Sequence, residues 1–395
     1  MPLFWLGFFG SVALAAWSYL LTLRGAFWWV RSQMPRRTLN NLQAQGCAEA
    51  RTARIAAVVP ARDEALIIAQ TTTSLAECED FVAHIFLVDD KSSDATGDIA
   101  CKAAAFAHAA SRLTVIAGRE LPPGWSGKLW AVYQGIEKAR ATNPDYFLLT
   151  DADVAHNAGD LADLIAIAES GDFDLASLMV KLHCKSVPER LLIPAFVFFF
   201  FMLYPPGWIM DRKRRMAGAA GGCMLIRPEA LTRAGGIQGI RHEVIDDCAL
   251  ARAVKQSGGR VWLGLAPNSA SIRPYTSFGE IGQMISRTAF NQLRHSAVLL
   301  LFVLATMTVL FVLPIGILFS PSAPLVATGI ATLTLMTITY LPMVRYYRLN
   351  PLWALTLPAA AVFYAGATLL SASRYWSGRG GEWKGRVQDE KNRQS

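Results

Sequence analysis

The chain has 395 residues, of which 53% are hydrophobic and only 17% are charged, and its net charge is +8. This composition is too apolar for an ordinary soluble protein, so membrane segments are expected. The basic residues flank apolar runs, and no aromatic–basic platform for nucleic acid is present. An anionic membrane surface is therefore the favoured partner, and nucleic acid is excluded. The six cysteines have no metal-ligand spacing and are interpreted as reduced thiols.

An uncharged run at 3–23 is long enough to span a bilayer. Four arginines follow it: Arg24, Arg31, Arg36 and Arg37. A secretory signal has its positive charges first, so the reversed order argues against one. Residues 1–30 are therefore predicted to be a retained anchor whose N-terminus lies outside and whose following domain is cytosolic.

A run at 191–210 also has spanning length, but prolines interrupt it and a crossing there would separate the two halves of the middle region. We expect a membrane-surface or re-entrant helix. A true span and a buried core helix are the alternatives.

Three more apolar runs lie near the C-terminus, at 297–319, 323–344 and 352–372. They predict a transmembrane bundle over 296–373, followed by a basic tail at 374–395. If all three runs cross, the tail lies outside, against the positive-inside rule. Pro351 and Pro358 allow a re-entrant path in the last run, and we expect a cytosolic tail.

Residues 50–290 alternate β-rich stretches with helical patterns. The predicted strands are 55–60, 84–89, 113–117, 146–150, 174–179, 222–227 and 260–265. The predicted helices are 64–78, 95–109, 128–141, 159–170 and 246–257. Apolar strands alternating with helices predict an α/β fold with a mostly parallel, Rossmann-like sheet covered on both faces. Ligands in such sheets bind beyond the carboxyl ends of the strands.

Acidic residues follow three of the predicted strands. They are Asp63 and Glu64 after the first, Asp89 and Asp90 at the second, and Asp151 and Asp153 after the fourth. Any one pair has an ordinary explanation as turn residues or helix-start acids. Three pairs at one sheet edge would repel a phosphate ligand unless a divalent cation lay between them. Because residues two apart in an extended segment point the same way, Asp151 and Asp153 can face one Mg²⁺ or Mn²⁺.

The motifs VVPARDEA, LVDDKSSDAT, GKLWAVYQG, LLTDADV, GGCMLIRPEAL and VIDDCALARAVKQSGGRV occur in the order found in family 2 glycosyltransferases. The chain resembles that family over roughly 52–295. The anchor, the C-terminal runs and the tail motif GRGGEWKGR are similar to a bacterial subgroup associated with hopanoid and, more distantly, carotenoid lipids. The resemblance implies a GT-A catalytic domain on the cytosolic side of the bacterial inner membrane. Its implied partners are a nucleotide-sugar donor and a lipid acceptor.

The resemblance also implies roles for single residues. By this resemblance, Asp63 and Glu64 match positions that hold the nucleoside, and Asp90 matches the acid that faces the uracil and ribose. Lys128 matches a lysine near the nucleotide, and Asp151 and Asp153 match the acids that bind the metal and, through it, the donor. Gly221 and Gly222 match a place where the backbone passes close to the donor sugar. Lys128 offers a point positive charge to a phosphate. Its alternative is an exposed helix-start lysine, and the alternative for the two glycines is a plain turn.

The segment IDDCAL matches the family's EDxxL helix start, which places Asp247 on the catalytic base and Asp246 on the usual Glu. A lipid hydroxyl must lose its proton as it attacks the anomeric carbon, and a nearby carboxylate can accept it. Attack opposite the leaving nucleotide inverts the configuration. The alternative is that both are ordinary acids at a helix N-terminus.

One motif departs from the family pattern. The (Q/R)xxRW sequence reads NQLRH at 291–295, so that Arg294 fits the arginine but His295 replaces the tryptophan. Processive polymer synthesis is therefore disfavoured. Arg294 either contacts the donor diphosphate or is an interface arginine with its charge in water.

The leading interpretation is an inverting hexosyltransferase that moves one sugar from a nucleotide sugar, UDP-linked by expectation, to a membrane lipid hydroxyl, a hopanoid by resemblance. One alternative is a polyprenyl-phosphate glycosyltransferase, whose acceptor is already ionised, or a short-polymer synthase. Another is a non-catalytic membrane scaffold that kept the fold.

Overall fold

The computed structural model describes residues 2–34, 53–378, 382–383 and 386–387. The chain divides into two compact units. The sheet unit comprises Ser32–His183, Trp208–Arg273 and Glu382–Ser395, and the helical unit comprises Met1–Arg31, Cys184–Gly207 and Pro274–Gly381. Of the basic residues used to predict topology, Arg36, Arg37, Arg379 and Lys384 lie outside the described residues.

The sheet unit is built on eight strands. They are β1 Ile55–Ala61, β2 Val82–Asp89, β3 Leu113–Ala117, β4 Tyr146–Leu149, β5 Val154–Ala155, β6 Leu175–Lys181, β7 Met224–Ile226 and β8 Val261–Ser271. Their order in the sheet is β3-β2-β1-β4-β7-β6-β8-β5. The pairs β1–β2, β2–β3, β1–β4 and β6–β8 are parallel, whereas β7 and β5 run antiparallel to their neighbours. The predicted α/β fold is confirmed, with a mixed sheet in which four strand pairs are parallel and three are antiparallel.

All seven residues of β1 are buried, as expected for a β-branched strand in the middle of a sheet covered on both faces. The α-helices in this part of the chain are Val30–Gln33, Ile68–Ala76, Thr96–Phe106, Gly127–Ala139, Ala158–Ser170, Pro206–Met210, Pro228–Arg233 and Asp246–Gln256. Short 3₁₀ turns lie at Ala110–Arg112, Arg140–Thr142 and Ile237–Ile240. A separate two-residue ladder pairs Glu382–Trp383 with Arg386–Val387.

The sequence prediction missed two features of this sheet. Strand β8 continues to Ser271, six residues beyond its predicted end, and the short strand β5 pairs with that extension. The helix predicted from 64 begins only at Ile68, because Glu64 belongs to the preceding turn and its carbonyl accepts hydrogen bonds from the Ile67 and Ile68 N–H groups. Both differences lie at the carboxyl ends of strands.

The helical unit contains the apolar segments. Its α-helices are Pro2–Thr22, Val187–Leu203, Phe278–Ser286, Ala289–Gln292, Ala297–Met307, Leu313–Gly316, Ala323–Tyr346 and Leu357–Trp376. A π-helical turn at Thr308–Val312 and 3₁₀ turns at Ile317–Phe319 and Pro351–Thr356 connect them. Within the described residues, five helical segments are long and apolar enough to cross a membrane: Leu3–Thr22, Val187–Met210, Ala297–Phe319, Ala323–Tyr346 and Pro351–Trp376.

The helix Val187–Leu203 packs within the helical unit. The Tyr364 hydroxyl donates to the Leu192 carbonyl, and the Phe198 ring contacts those of Phe27 and Tyr340. The predicted catalytic domain of 50–290 thus differs from the sheet unit, since 184–207 and 274–290 group with the apolar helices. A membrane-surface or re-entrant path for 191–210 stays a prediction.

Pro351 and Pro358, which would allow a re-entrant path, do not interrupt the last apolar segment. Pro358 lies in the first turn of Leu357–Trp376, where its missing N–H is not needed, and Pro351 begins the preceding 3₁₀ turn. The segment Pro351–Trp376 is therefore helical throughout, and the side on which the tail lies stays a prediction.

Candidate active site

The acidic residues singled out from the sequence meet at one edge of the sheet. Strands β2, β1 and β4 are neighbours and run in the same direction, so their carboxyl ends lie side by side. The Asp63–Glu64 turn follows β1, Asp90 follows β2, and Asp151 follows β4. The negative rim expected from the sequence is present.

The loops after β1 and β2 are joined through Asp63 and Glu64. Asp63 has a left-handed backbone (φ 51°), and its Oδ1 accepts hydrogen bonds from the Ser93 N–H (2.7 Å) and hydroxyl (3.0 Å). The Glu64 N–H donates to Thr96 Oγ1 at 2.8 Å. These bonds fix the two loops against each other at the position predicted to hold the nucleoside.

Asp90 is fully buried at the end of β2. Its N–H donates to the Ala61 carbonyl, and Arg62 Nη1 donates to its carbonyl oxygen at 2.6 Å while lying 3.7 Å from its Oδ2. A Cβ on Gly118 would lie 2.9 Å from the Asp90 Cα, so only glycine fits beside it. Arg62, which the sequence prediction did not include, is thus a neighbour of Asp90, the acid expected to face the uracil and ribose of the donor.

Lys128 connects two of the predicted groups. It lies in the first turn of the helix Gly127–Ala139, which Ser126 caps by accepting from the Leu129 N–H. Its Nζ is 2.8 Å from Asp151 Oδ1 and 3.0 Å from Asp246 Oδ2. Burial disfavours the ammonium, but Asp151 and Asp246 outweigh this and raise the pKa of Lys128 above its usual range. The alternative of an exposed helix-start lysine is wrong, because the ammonium is enclosed by carboxylates.

Arg273, which the sequence prediction missed, connects the acids Glu64 and Asp153. Its Nη2 lies 2.7 Å from both Glu64 carboxylate oxygens, and its Nε lies 2.9 Å from Asp153 Oδ2. The pairing of β5 with β8, continued by an Ile272 N–H bond to the Asp153 carbonyl, brings this arginine to the rim. The signal in the sequence is an arginine directly after a strand, which becomes visible only when β8 is extended to Ser271.

Asp247 lies in the first turn of the helix Asp246–Gln256. Its Oδ2 accepts from the Gly221 N–H at 2.9 Å and its Oδ1 from the Cys248 N–H at 2.6 Å. Burial and the neighbouring Asp246 raise the pKa of Asp247 to about 6, although Lys128 and the two N–H groups act in the opposite direction. A carboxyl group with this pKa is ionised near neutral pH and binds a proton readily, as a general base must.

The two glycines lie between these groups. A Cβ on Gly221 would lie 3.4 Å from Lys128 Nζ and 3.5 Å from Asp247 Oδ2, and one on Gly222 would lie 2.9 Å from the Val180 side chain. The backbone here passes directly beside the ammonium and the carboxylate. Gly221 is therefore more than a plain turn, since its N–H orients Asp247.

Two consecutive buried hydrogen bonds, which the sequence prediction missed, hold the backbone of Gly222 in place. The Thr150 hydroxyl donates to the Gly222 carbonyl at 2.8 Å, so its oxygen accepts from His156 Nε2, also at 2.8 Å. Burial lowers the pKa of His156 to about 4, which keeps the ring neutral. These two bonds tie the end of β4 to the Gly221–Gly222 backbone.

Asp151 and Asp153 are the residues that could hold a divalent cation. Burial and Asp151 raise the pKa of Asp153, although Arg273 acts against the shift, so negative charge is crowded here. Within the described residues, no three His, Cys, Asp or Glu side chains form a metal-binding group. Two carboxylates nevertheless suit Mg²⁺ or Mn²⁺, because such ions are commonly held by one or two carboxylates together with substrate phosphates and water.

Arg294 belongs to the helical unit, so its contact with a donor stays a prediction. It has a left-handed backbone (φ 51°) in the turn after Ala289–Gln292. The next residue, His295, stacks on the Tyr375 ring at 3.9 Å and contacts Phe290. His295 thus makes an aromatic stacking contact within the helical unit.

Comparison with known proteins gives one family match. Residues 56–234 match the model of the family described as Glycosyl transferase family 2. No curated protein matches the sequence.

Several solved structures are similar. One is the mannosyltransferase PcManGT from Pyrobaculum calidifontis in complex with GDP-Man and Mn²⁺, with 16% identity over 92% of this chain and 99% of that chain, and a TM-score of 0.52. Another is glucosyl-3-phosphoglycerate synthase from Mycobacterium tuberculosis with phosphoglyceric acid, with 17% identity over 62% of this chain and 80% of that one (TM-score 0.37). A third is mannosyl-3-phosphoglycerate synthase from Rubrobacter xylanophilus, with 16% identity over 65% and 78% (TM-score 0.37). The first of these shows that the fold is shared with a glycosyltransferase.

The raised pKa of Asp247 predicts that its ionised carboxylate lowers the free energy of unfolding by an amount that depends on pH. An unfolded Asp titrates near 3.9, so the folded protein binds the proton more tightly and loses stability as the pH rises from about 4 to about 6. Asp247→Asn removes the charge and should raise the free energy of unfolding at pH 7.5 by about 1–2 kcal/mol, but not at pH 4. Thermal unfolding of the detergent-purified protein at both pH values measures this.

The matched control is Asp98→Asn, an exposed acid in the first turn of the helix Thr96–Phe106. It should show no gain at either pH. Equal unfolding midpoints of Asp247→Asn and the wild type at pH 7.5 would contradict the assignment of a strained, buried carboxylate.

Proposed function

The protein is a glycosyltransferase with a family 2 domain at residues 56–234, and we propose that it transfers one sugar, with inversion, from a nucleotide sugar to the hydroxyl of a membrane lipid. The observation that carries this proposal is the position of Asp247. Its carboxylate lies against Gly221 and close to Lys128, which in turn contacts Asp151 at the predicted diphosphate site. The proposed base, Asp247, and the lysine proposed to bind phosphate, Lys128, thus lie in one cluster.

The reaction follows from this arrangement. The acceptor hydroxyl oxygen attacks the anomeric carbon, its proton passes to Asp247, and the bond from that carbon to the diphosphate breaks. Lys128 is placed to offset negative charge on the departing diphosphate. When bound, a divalent cation held by Asp151 and Asp153 would neutralise charge on the same phosphates.

We favour a hydroxyl acceptor over a lipid phosphate because of the proposed base. A phosphate is already ionised and needs no base, whereas burial gives Asp247 a pKa of about 6, suited to removing a proton near neutral pH. A lipid phosphate would also be a second anion beside the donor diphosphate, and the carboxylates at the rim would repel it. The polyprenyl-phosphate alternative predicts instead that Asp247 is dispensable.

The choice of donor and lipid rests on the sequence. A UDP-linked donor follows from the match of Asp90 to the uracil-facing acid, and a GDP-linked donor is the comparison to test because PcManGT is in complex with GDP-Man. A hopanoid acceptor follows from the resemblance of the tail motif and the flanking apolar runs to the hopanoid-associated subgroup. The five apolar helices are consistent with location in the bacterial inner membrane with the sheet unit in the cytosol, where nucleotide sugars are made.

Removing the base should separate binding from turnover. Asp247→Asn should leave the affinity for UDP nearly unchanged and lower turnover by about 10² or more, the loss typical of a positioned general base. Asp246→Asn makes the same substitution at the neighbouring acid and is the matched comparison. It should lower turnover by less than Asp247→Asn does. If Asp246→Asn gives the large loss and Asp247→Asn does not, Asp246 is the base. If neither lowers turnover, the acceptor is not a hydroxyl that needs a base.

Removing the DxD carboxylate tests the metal site. Asp153→Ala should abolish the part of UDP affinity that depends on Mn²⁺, measured by calorimetry with Mn²⁺ and with a chelator. Asp98→Ala is the control and should bind UDP as the wild type does. An Asp153→Ala protein whose UDP affinity still responds to the chelator would show that these carboxylates do not hold the cation.

A further inference from the structure

The two DxD carboxylates contact different basic side chains. Asp151 contacts Lys128, and Asp153 contacts Arg273. Each basic side chain also holds a second acid: Lys128 contacts Asp246, and Arg273 contacts Glu64. The rim therefore contains two internal ion-pair bridges that lie where the donor and its metal are proposed to bind.

The Arg273 bridge is well defined geometrically. Two different guanidinium nitrogens serve the two acids, Nη2 for Glu64 at 2.7 Å and Nε for Asp153 at 2.9 Å. The side chain of Asp153 is 18% exposed and that of Glu64 10%, so this is not a solvated surface pair of negligible strength. A planar guanidinium can bridge two carboxylates in this way, whereas a lysine presents a single charged point.

This bridge conflicts with a bound metal. A divalent cation on the Asp153 carboxylate would lie close to a permanently charged guanidinium, and the two positive charges would repel each other. The metal alone must therefore compete with Arg273 for Asp153. A diphosphate arriving with the metal changes the balance, because it offers the released guanidinium a new anionic partner suited to bidentate binding.

We propose that Arg273 is a positioning residue that occupies Asp153 before the donor arrives and thereby makes metal binding depend on the donor diphosphate. The proposal rests on the proposed function, since it assumes that Asp153 is a metal ligand. It assigns to Arg273 a role in coupling the two ligands rather than in the bond-breaking step. Metal without nucleotide should bind weakly, and each ligand should strengthen the binding of the other by the same factor.

The experiment measures the affinity of the full-length, detergent-purified protein for Mn²⁺, from the electron paramagnetic resonance signal of free Mn²⁺, with and without UDP. In the wild type, UDP should strengthen Mn²⁺ binding by a factor in the range of about 5–150, typical of coupled sites. In Arg273→Gln, Mn²⁺ alone should bind about 10-fold more tightly than in the wild type, and the strengthening by UDP should shrink.

Arg233→Gln is the matched control, because it removes an arginine from a 2.6 Å ion pair with Asp174 elsewhere in the same unit. It should leave both Mn²⁺ affinities unchanged. If Arg273→Gln does not fold, Arg273→Lys replaces it. A lysine keeps the positive charge beside Asp153 but lacks the two separate guanidinium nitrogens, so a smaller gain in Mn²⁺ affinity without UDP is expected.

Asp153→Asn separates the two hypotheses. If Asp153→Asn removes Mn²⁺ binding while the folded Arg273 variant gains no affinity for Mn²⁺ alone, the coupling role of Arg273 is overturned and the metal site stands. If Asp153→Asn binds Mn²⁺ and UDP as the wild type does, the metal site itself is wrong, and the assumption beneath this inference fails with it.

Discussion

Negative charge at the carboxyl ends of β1, β2 and β4 is the constraint on the proposed donor site, because it has to be balanced before an anionic diphosphate could bind there. Among the described residues, Lys128 contacts Asp151 and Asp246, and Arg273 contacts Glu64 and Asp153, so that each of these two basic side chains contacts two acids. The same imbalance explains the raised pKa values of Asp153 and Asp247, which are buried beside other acids. A site of this kind favours an anionic ligand only if it arrives with further positive charge, which is what a divalent cation supplies.

The fold produces this concentration of charge by placing strand ends side by side. The parallel neighbours β2, β1 and β4 supply acids from turns that are far apart in sequence. Antiparallel pairing of β5 with the end of β8 then adds Arg273 next to Asp153, and the helix Asp246–Gln256 adds the proposed base. The Gly221–Gly222 backbone, held by Thr150, connects the base to the DxD turn. The proposed metal ligands, the lysine proposed to bind phosphate and the proposed base thus lie at one edge of the sheet.

The sequence was sufficient for seven of the eight strands and for the acids that follow them, but not for the partners of those acids. Apolar strands with acids directly after them are local patterns, and the parallel order β3-β2-β1-β4 follows from strand–helix alternation. The contacts of Arg273 depend on β5, only two residues long, and on an extension of β8 whose alternation is irregular. Likewise, nothing local in the sequence shows that His156 bonds Thr150, because that contact depends on a buried turn. In the helical unit, the sequence left open whether Pro358 interrupts a helix, because its position relative to the helix start cannot be read from the run of apolar residues.

Transfer of a sugar to a lipid is the most direct test of the account. The purified protein would be incubated with a panel of UDP- and GDP-sugars, a bacterial lipid extract containing hopanoids, and Mn²⁺, and the lipids would be read by mass spectrometry. The account predicts one lipid class that gains the mass of a single sugar, with a UDP-linked donor, only when a divalent cation is present and not with Asp247→Asn. Products that carry several sugars, products formed equally by Asp247→Asn, or modification of a polyprenyl phosphate alone would contradict it.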